Sequence, residues 1–452
     1  MKAGKNYIIL CTIVAALGGF LFGFDTAVIA GATKALKELF ELDAASLGLT
    51  VSIALWGTMI GALFSSIPAD VFGRRFCLKI TGVLFFVSAV GCAIAWDWYS
   101  LVIFRFIGGV GIGAASVIGP MYIAEIAPAN SRGRLVGLFQ FNIVFGILMA
   151  YFSNYIIGLF NTGDVEWRIK LGVAAIPALI FFVLLFFIPQ SPRWLVKKSQ
   201  FDEALTVLKA INQENAQKEF EEIQNSINTE DMQKDEKLFS KKYNFPIFLA
   251  VSIAIFNQLS GINALLYYLN DIFEMAGFSK VSGDFQAVII GGTNLLFTIL
   301  AMSVIDKIGR KKLLLIGSVG TAICLGAVAA IFITDTHKSL LIWVLAGYIA
   351  SFAFSQGAVI WVYLSEVFPN IVRAKGQALG SFTHWLMCAL VSWTFPIMAA
   401  KSGGYPFVFF AFMMVVQFIV VLLVYPETRG ASLEELQKQL LGDEWSVGES
   451  NP

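Results

Sequence analysis

About twelve stretches of this chain are apolar over a length sufficient to cross a bilayer, and that feature removes most of the folds open to 452 residues. Hydrocarbon supplies no hydrogen bonds, so every backbone N–H and C=O at that depth needs a partner within the protein, and a helix provides these within one segment. The runs fall at 7–29, 48–68, 78–96, 99–123, 135–159, 170–189, 245–270, 285–305, 313–333, 340–364, 377–398 and 406–425. Only 14% of the residues are charged, against roughly 25% in soluble domains. The expected fold is an all-α polytopic membrane protein of twelve transmembrane helices. Met1 to Ile29 opens on lysines and an apolar run, like a secretory signal. It lacks a clear small-residue cleavage site and carries Asp25, so it reads as a retained first helix. A net charge of +1, with no basic stripe among aromatics, argues against nucleic acid as a partner. The five cysteines stand singly in apolar surroundings, as small core residues do, and show no metal-site spacing.

Six runs precede a polar stretch, Ser199 to Asn244, and six follow it. Within it, apolar residues at helical spacing (Phe201, Ala204, Leu205, Leu208; then Phe220, Ile223, Ile227) predict amphipathic surface helices. The expected division is a six-helix bundle over 1–190, a cytoplasmic helical linker over 191–244, a second six-helix bundle over 245–430 and a cytoplasmic tail over 431–452. With both termini on one side, that side collects 24 of the 32 Lys and Arg, the other side seven, and Arg105 lies within a run. The positive-inside bias therefore puts both termini in the cytoplasm. The halves also repeat. Asp70-Val-Phe-Gly-Arg-Arg75 returns as Asp306-Lys-Ile-Gly-Arg-Lys311, and Glu125 with Arg132 returns at nearly the same offset as Glu366 with Arg373. Pro189-Gln-Ser-Pro-Arg-Trp194 ends the first half and Tyr425-Pro-Glu-Thr-Arg429 the second. A duplicated six-helix unit predicts two pseudo-symmetric bundles around a cavity.

The most polar stretch at membrane depth is Phe256-Asn-Gln-Leu-Ser-Gly-Ile-Asn-Ala-Leu-Leu-Tyr-Tyr268. Gln258, Asn263 and Tyr267 offer donors and acceptors without fixed charge, with an aromatic ring nearby, which suits a neutral, hydroxyl-rich ligand such as a sugar. Gln258 lies five residues before Asn263, about 140° round an ideal helix. The two would share a cavity most easily if the helix broke near Ser260-Gly261. The competing reading is that these amides only bond neighbouring helices.

Taken together, Asp70…Gly73-Arg74-Arg75, Arg105-Phe-Ile-Gly-Gly109, Pro120-Met-Tyr-Ile-Ala-Glu125 with Arg132-Gly133, Pro189-Gln-Ser-Pro-Arg-Trp194, Gln258…Ser260-Gly261…Asn263…Tyr267-Tyr268, Asp306…Gly309-Arg310 and Pro426-Glu-Thr-Arg-Gly430 resemble the sugar porter family of the major facilitator superfamily. Gly23-Phe-Asp25-Thr-Ala-Val and Ser392-Trp-Thr-Phe-Pro396 look most like bacterial xylose–proton symporters. The resemblance implies alternating access by two bundles of six helices. It makes Gln140, Gln258, Asn263, Asn294 and Trp385 the expected sugar contacts, and Tyr267, Gln356 and His384 complete the candidate set. Amides pair with vicinal hydroxyls, and an indole stacks on a sugar's C–H face while its N–H donates. The chain departs from the family's usual residues at Asn257 (a Gln), Ala358 (a Pro), Gln356 (an aromatic in xylose symporters), His384 (an amide) and Cys388 (commonly Asn). These positions are where stereochemistry would be read.

Asp25 and Arg105 are charges within the spans of the first half, where a charge costs on the order of 3 kcal/mol on insertion scales. One reading pairs them, with protonation of Asp25 freeing Arg105 and shifting the balance of outward and inward states. The other leaves Asp25 wetted near the extracellular end and Arg105 snorkelling. The resemblance favours coupling, since proton-coupled sugar porters carry Asp at this position. Asp70, Arg74, Arg75, Glu125, Arg132, Asp306, Arg310, Glu366 and Arg373 are expected to form a cytoplasmic gate of ion pairs, present in one state only. Topology signalling alone accounts for Lys311 and Lys312 and leaves the acidic partners at repeated spacing unexplained. Gly108-Gly109-Val-Gly111-Ile-Gly113 follows no strand and reads as close helix packing, not a nucleotide loop. No Walker lysine loop occurs. His337 reads as solvated, and His384 as a packed neutral histidine or a pH sensor.

The sequence thus predicts a proton-coupled monosaccharide symporter in a bacterial inner membrane, working as a monomer, with the proton as co-substrate and no other cofactor. Its rivals are a facilitative uniporter with the same pocket, a non-transporting sensor and a membrane enzyme. A sensor is disfavoured by the two dozen or so residues after Pro426. An enzyme is disfavoured because no cluster of nucleophile, base and metal ligands lies at membrane depth.

Overall fold

The computed structural model describes residues 2–128, 131–211, 215–232, 236–369 and 371–429; the expected tail 431–452, Gly430 and linker positions 212–214 and 233–235 lie outside them. Among the described residues the secondary structure is helical, and 12 helices are long and apolar enough to span a membrane. In chain order these are span 1, Asn6–Gly31; span 2, Ala44–Phe64; span 3, Arg74–Ala93; span 4, Trp98–Ile126; span 5, Arg132–Leu159; span 6, Gly163–Leu184; span 7, Lys241–Tyr267; span 8, Ser282–Ile308; span 9, Arg310–Thr334; span 10, Lys338–Glu366; span 11, Arg373–Lys401; and span 12, Tyr405–Val424. Each overlaps one apolar run of the sequence. The largest displacement is at span 6, which begins seven residues early because a charged pair is folded into it. Lys170 Nζ lies 2.8 Å from Glu166 Oε1 and donates to Gly31 O at 3.2 Å. A charge satisfied in this way can be buried, whereas hydropathy registers it as unfit for the membrane.

The chain forms two compact units, Met1–Phe40 with Ile53–Lys234, and Glu41–Ser52 with Asp235–Pro452. In the first, the helices approach backbone to backbone. A Cβ on Gly23 would lie 1.8 Å from Ile143 O on span 5, and one on Gly146 would lie 2.2 Å from Phe20 O on span 1. Spans 2 and 4 meet similarly, through Gly109 against Ala54 O and Gly113 against Thr58 O. The glycine run of span 4 is therefore a packing seam, where small residues let dispersion contacts form in a solvent as apolar as the side chains. Helices Pro192–Lys197, Phe201–Ile211 and Ala216–Met232 follow span 6, and their apolar faces gather Leu195, Val196, Ala204, Leu208, Ala216 and Phe220 into a small core.

The second unit packs Tyr243, Leu249, Ile253, Leu313, Tyr363, Val367 and Tyr425 into its own core, within which the Tyr425 and Ser252 hydroxyls share a 2.7 Å hydrogen bond. Where span 7 begins, Glu236 pairs with Lys242 and accepts from Tyr243 Oη at 2.8 Å. Burial pushes the Glu236 carboxyl up, and the hydrogen bonds from Lys242 and Tyr243 more than reverse this, leaving it below the usual carboxylate range. Large apolar side chains such as Ile176, Ile323, Phe412 and Leu423 lie exposed on the outer faces of the helices. In water such faces would drive aggregation; in hydrocarbon they are the solvated surface.

Candidate functional site

Span 7 is broken where the sequence predicts it. A helix over Asn244–Leu259 stops, Gly261 takes the left-handed conformation at φ +82°, and a second helix runs over Ile262–Tyr267, with a third over Leu269–Met275. Glycine is required here on two counts: the φ is unfavourable for other L-residues, and a Cβ would lie 2.3 Å from Phe410 Cδ2. The break frees backbone carbonyls, and two of them find side-chain donors. Ser260 Oγ donates to Asn257 O at 2.6 Å, and Tyr348 Oη of span 10 donates to Ser260 O at 2.8 Å. Span 10 is itself interrupted at Ser355 (φ −126°, ψ −88°), and Asn257 Nδ2 donates across to Gln356 O at 3.3 Å. Two broken helices thus satisfy each other's loose ends, as lipid requires.

The break brings Gln258 and Asn263 together, with Asn263 Nδ2 donating to Gln258 Oε1 at 2.8 Å. Gln258 Nε2 lies 3.0 Å from Asn257 Oδ1 and about as close to both ring nitrogens of His384. The His384 ring packs against Trp361 (centroids 5.0 Å apart) and, edge-on, against Trp385 (5.1 Å). Asn263 and Tyr267 flank the Cys388 thiol one helical turn further along span 11. The second unit therefore holds a buried cluster of neutral amides, an imidazole and indoles, carried on spans 7, 10 and 11. Asn294 is buried on span 8 and stands outside the hydrogen-bonded cluster. Gln356 turns its Nε2 to Met414 Sδ at 3.3 Å and reaches the cluster only through its backbone carbonyl. Gln140 belongs to the first unit, half-buried on span 5.

Within the first unit, Arg105 Nη1 lies 3.3 Å from Asp25 Oδ1; the guanidinium side chain is 2% exposed and the carboxylate 16%. The arginine is thus turned inward, and the carboxylate is the partner with access to surroundings. Towards the other end of the spans, the repeated motifs form matching clusters. Arg74 joins Glu125 at 2.9 Å and Asp70 at 3.0 Å; Arg310 joins Glu366 at 2.8 Å and Asp306 at 2.9 Å. Glu125 takes Arg74 as its partner, and Arg132 is exposed with no hydrogen bond or ion pair to a described residue. Arg373 donates through Nε to Phe368 O. Arg75 donates to Leu185 O and Phe186 O, the loose carbonyls at the end of span 6.

The profile of the family described as "Sugar (and other) transporter" matches residues 11–440. The chain belongs to the sugar transporter family. It is 37% identical over 440 residues to the arabinose-proton symporter of Bacillus subtilis (strain 168), covering 96% of this chain and 95% of that one. It is 38% identical over 476 residues to the D-xylose-proton symporter of Escherichia coli (strain K12), covering 96% of each. Among solved structures, the inward open conformation of the xylose transporter XylE from E. coli is similar with a TM-score of 0.86 and 37% identity, over 96% of this chain and 100% of that one.

In this sugar transporter several working residues lie outside the sequence-derived set. Gln190 Oε1 accepts from Arg75 N at 2.9 Å, and the Glu427 carboxylate accepts from Arg310 N at 2.8 Å and Lys311 N at 3.2 Å. Each caps a helix that starts after a glycine of nearly identical backbone, Gly73 (φ 90°, ψ 156°) and Gly309 (φ 101°, ψ 156°). The recurrence of Pro-Gln and Pro-Glu at the ends of the halves is the signal that could have found both caps. Asn257 stood out in the sequence only as a departure from the family's usual Gln, and Trp361 gives no such signal, since its place beside His384 arises from the meeting of spans 10 and 11.

Proposed function

We propose that this sugar transporter is a proton-coupled monosaccharide symporter. Access to the amide cluster on spans 7, 10 and 11 alternates between the two sides of the membrane. Neutral amides and indoles fit a neutral polyol: each hydroxyl donates and accepts, and the indole faces take up C–H surface. The observation that carries coupling, as against facilitated diffusion, is the Asp25–Arg105 pair, in which a buried arginine faces a carboxylate that is the more exposed of the two. Protonating Asp25 removes the partner that makes Arg105 tolerable at that depth, so the protonated and ionised forms favour different arrangements of the helices. The relatives named as arabinose-proton and D-xylose-proton symporters support a pentose as cargo and a proton as driving ion. Both termini lie in the cytoplasm, the membrane is the bacterial inner membrane, and one chain is the working unit. The clusters of Arg74 and Arg310 stiffen the cytoplasmic ends of the helices that move.

The test is uptake of radiolabelled D-xylose and L-arabinose by proteoliposomes with and without an imposed pH gradient, with unlabelled aldoses as competitors. Accumulation above the external concentration only when the outside is acidic is the expected outcome. Equilibration at the same rate and to the same level without the gradient would leave a uniporter.

A further inference from the structure

Span 1 carries Asp25, and one turn beyond it the α-helix ends at Val28 and tightens into a 3₁₀ turn over Ile29–Gly31. The change of winding directs Ala32 N to Ile29 O at 2.9 Å, so Val28 O loses the partner that a continuing α-helix would give it. Two neighbouring spans supply donors. Asn154 of span 5 donates through Nδ2 to Val28 O at 3.0 Å, and Lys170 of span 6 donates through Nζ to Gly31 O at 3.2 Å. The Lys170 side chain is 0% exposed and has Glu166 as its counterion, 2.8 Å away. Asn154 is 1% exposed, and its Oδ1 has no hydrogen-bond partner among the described residues, so donation to span 1 is the bond that fixes this amide. Glycine is required at 31 by the same contact, since a Cβ there would lie 2.5 Å from Asn154 Nδ2. Val28, Ile29 and Ala30 are buried, so water cannot stand in for either donor, and any slide of span 1 past spans 5 and 6 would strand buried polar groups.

We propose that Asn154 and Lys170 are positioning residues for proton coupling, which tie the end of span 1 to spans 5 and 6 so that Asp25 stays opposite Arg105 as the helices move. The proposal rests on the reading of Asp25 as the coupling group. Arg105 Nη1 and Asp25 Oδ1 are 3.3 Å apart, already long for a charge-assisted hydrogen bond, so a small slide or rotation of span 1 separates them. Val28 lies three residues, about 4.5 Å of helix rise, beyond Asp25, and a tether there limits such a slide directly. With the tether cut, span 1 shifts while Asp25 is still ionised, and sugar crosses without a proton. Arg168 of span 6 provides the comparison. It donates through Nη1 to Ala93 O at 2.9 Å and to Ala95 O at 2.7 Å, tying down the end of span 3, which does not carry the carboxylate.

Coupling is measured in proteoliposomes holding the full chain, as accumulation of D-xylose, or of L-arabinose if that is the sugar taken up, per unit of imposed pH gradient. Counterflow of the same sugar measures movement alone. The wild type is expected to accumulate about tenfold per unit. Two changes cut the tether separately: Asn154→Leu, and Lys170→Met made together with Glu166→Gln so that no buried charge is stranded. Each is expected to accumulate about threefold or less, with counterflow within about twofold of the wild type. Arg168→Met also frees two carbonyls at a helix end and is expected to keep the tenfold ratio. Tenfold accumulation by a folded tether variant overturns the proposal. So does an equal loss in Arg168→Met, or accumulation and counterflow falling together, since either marks a merely structural role. If one tether variant does not fold, the other carries the test. Accumulation by Asp25→Asn is a different result, and it removes the coupling reading itself.

Discussion

Asp25→Asn keeps the size of the side chain and removes its charge, leaving Arg105 as a buried cation beside one neutral acceptor. Arg105 is 2% exposed, so water does not take the place of the lost carboxylate, and its Nε is already without a hydrogen-bond partner among the described residues. Removing one member of a buried pair costs about 3–5 kcal/mol; asparagine still accepts one hydrogen bond, which argues for the lower end. At 1.4 kcal/mol per factor of ten, a cost of about 3 kcal/mol shifts the balance between states that keep and lose the pair by roughly a hundredfold. Arg105→Met is expected to cost less, because the stranded Asp25 is 16% exposed and can be hydrated or protonated. In proteoliposomes, each unit of pH gradient is worth about 1.4 kcal/mol per proton, so a one-to-one symporter accumulates sugar about tenfold per unit. Asp25→Asn is expected to show no accumulation while still exchanging internal for external sugar in counterflow. Tenfold accumulation by that variant would refute the assignment of Asp25 as the coupling group. Counterflow abolished together with accumulation would mean that the charge is needed for movement as such.

Other consequences can be measured on the purified protein. Arg74→Ala strands Glu125, whose side chain is 9% exposed, and is expected to lower stability by about 3–5 kcal/mol, whereas Asp70→Ala removes a partner that is 49% exposed and should cost about 0–1 kcal/mol. Thermal unfolding in detergent distinguishes the two, and equal losses would contradict the burial argument. Glu427→Ala unpairs two backbone donors at the start of span 9, besides the exposed Arg429 N, where Gln190→Ala unpairs one at the start of span 3, so each cap is worth about 1–2 kcal/mol with the first change the larger. Gly261→Ala forces a side chain into the left-handed region against Phe410 and is expected to lower both stability and sugar binding, with Phe410→Ala recovering only the part due to the clash. The Glu236 carboxyl is held below its usual range, so its contribution is present above the unfolded value and lost as pH falls through the folded one. Hydrogen-exchange protection around Tyr243 should therefore fall on acidification below the usual glutamate range, and a Glu236→Gln variant with the same acid profile as the wild type would rule the contact out.

The membrane architecture was legible in the sequence because it depends on sums over long windows. Twenty or so apolar residues report a span whatever surrounds them, and span 6 misled only where the Glu166–Lys170 pair hid its charge by local pairing. Gly261 was legible for a related reason, since a glycine amid amides at membrane depth marks a break on local grounds. The repeated Gly-Arg motifs were visible too, but not that Glu125 would choose Arg74 and leave Arg132 exposed. The site chemistry was decided by tertiary structure. Gln258 and His384 are 126 residues apart, and which way the amides turn depends on a backbone carbonyl at Gln356 in a third span. Periodicity records which residues share a helix face, whereas hydrogen-bond direction is a property of groups from several helices meeting at about 3 Å, and no single segment carries that information.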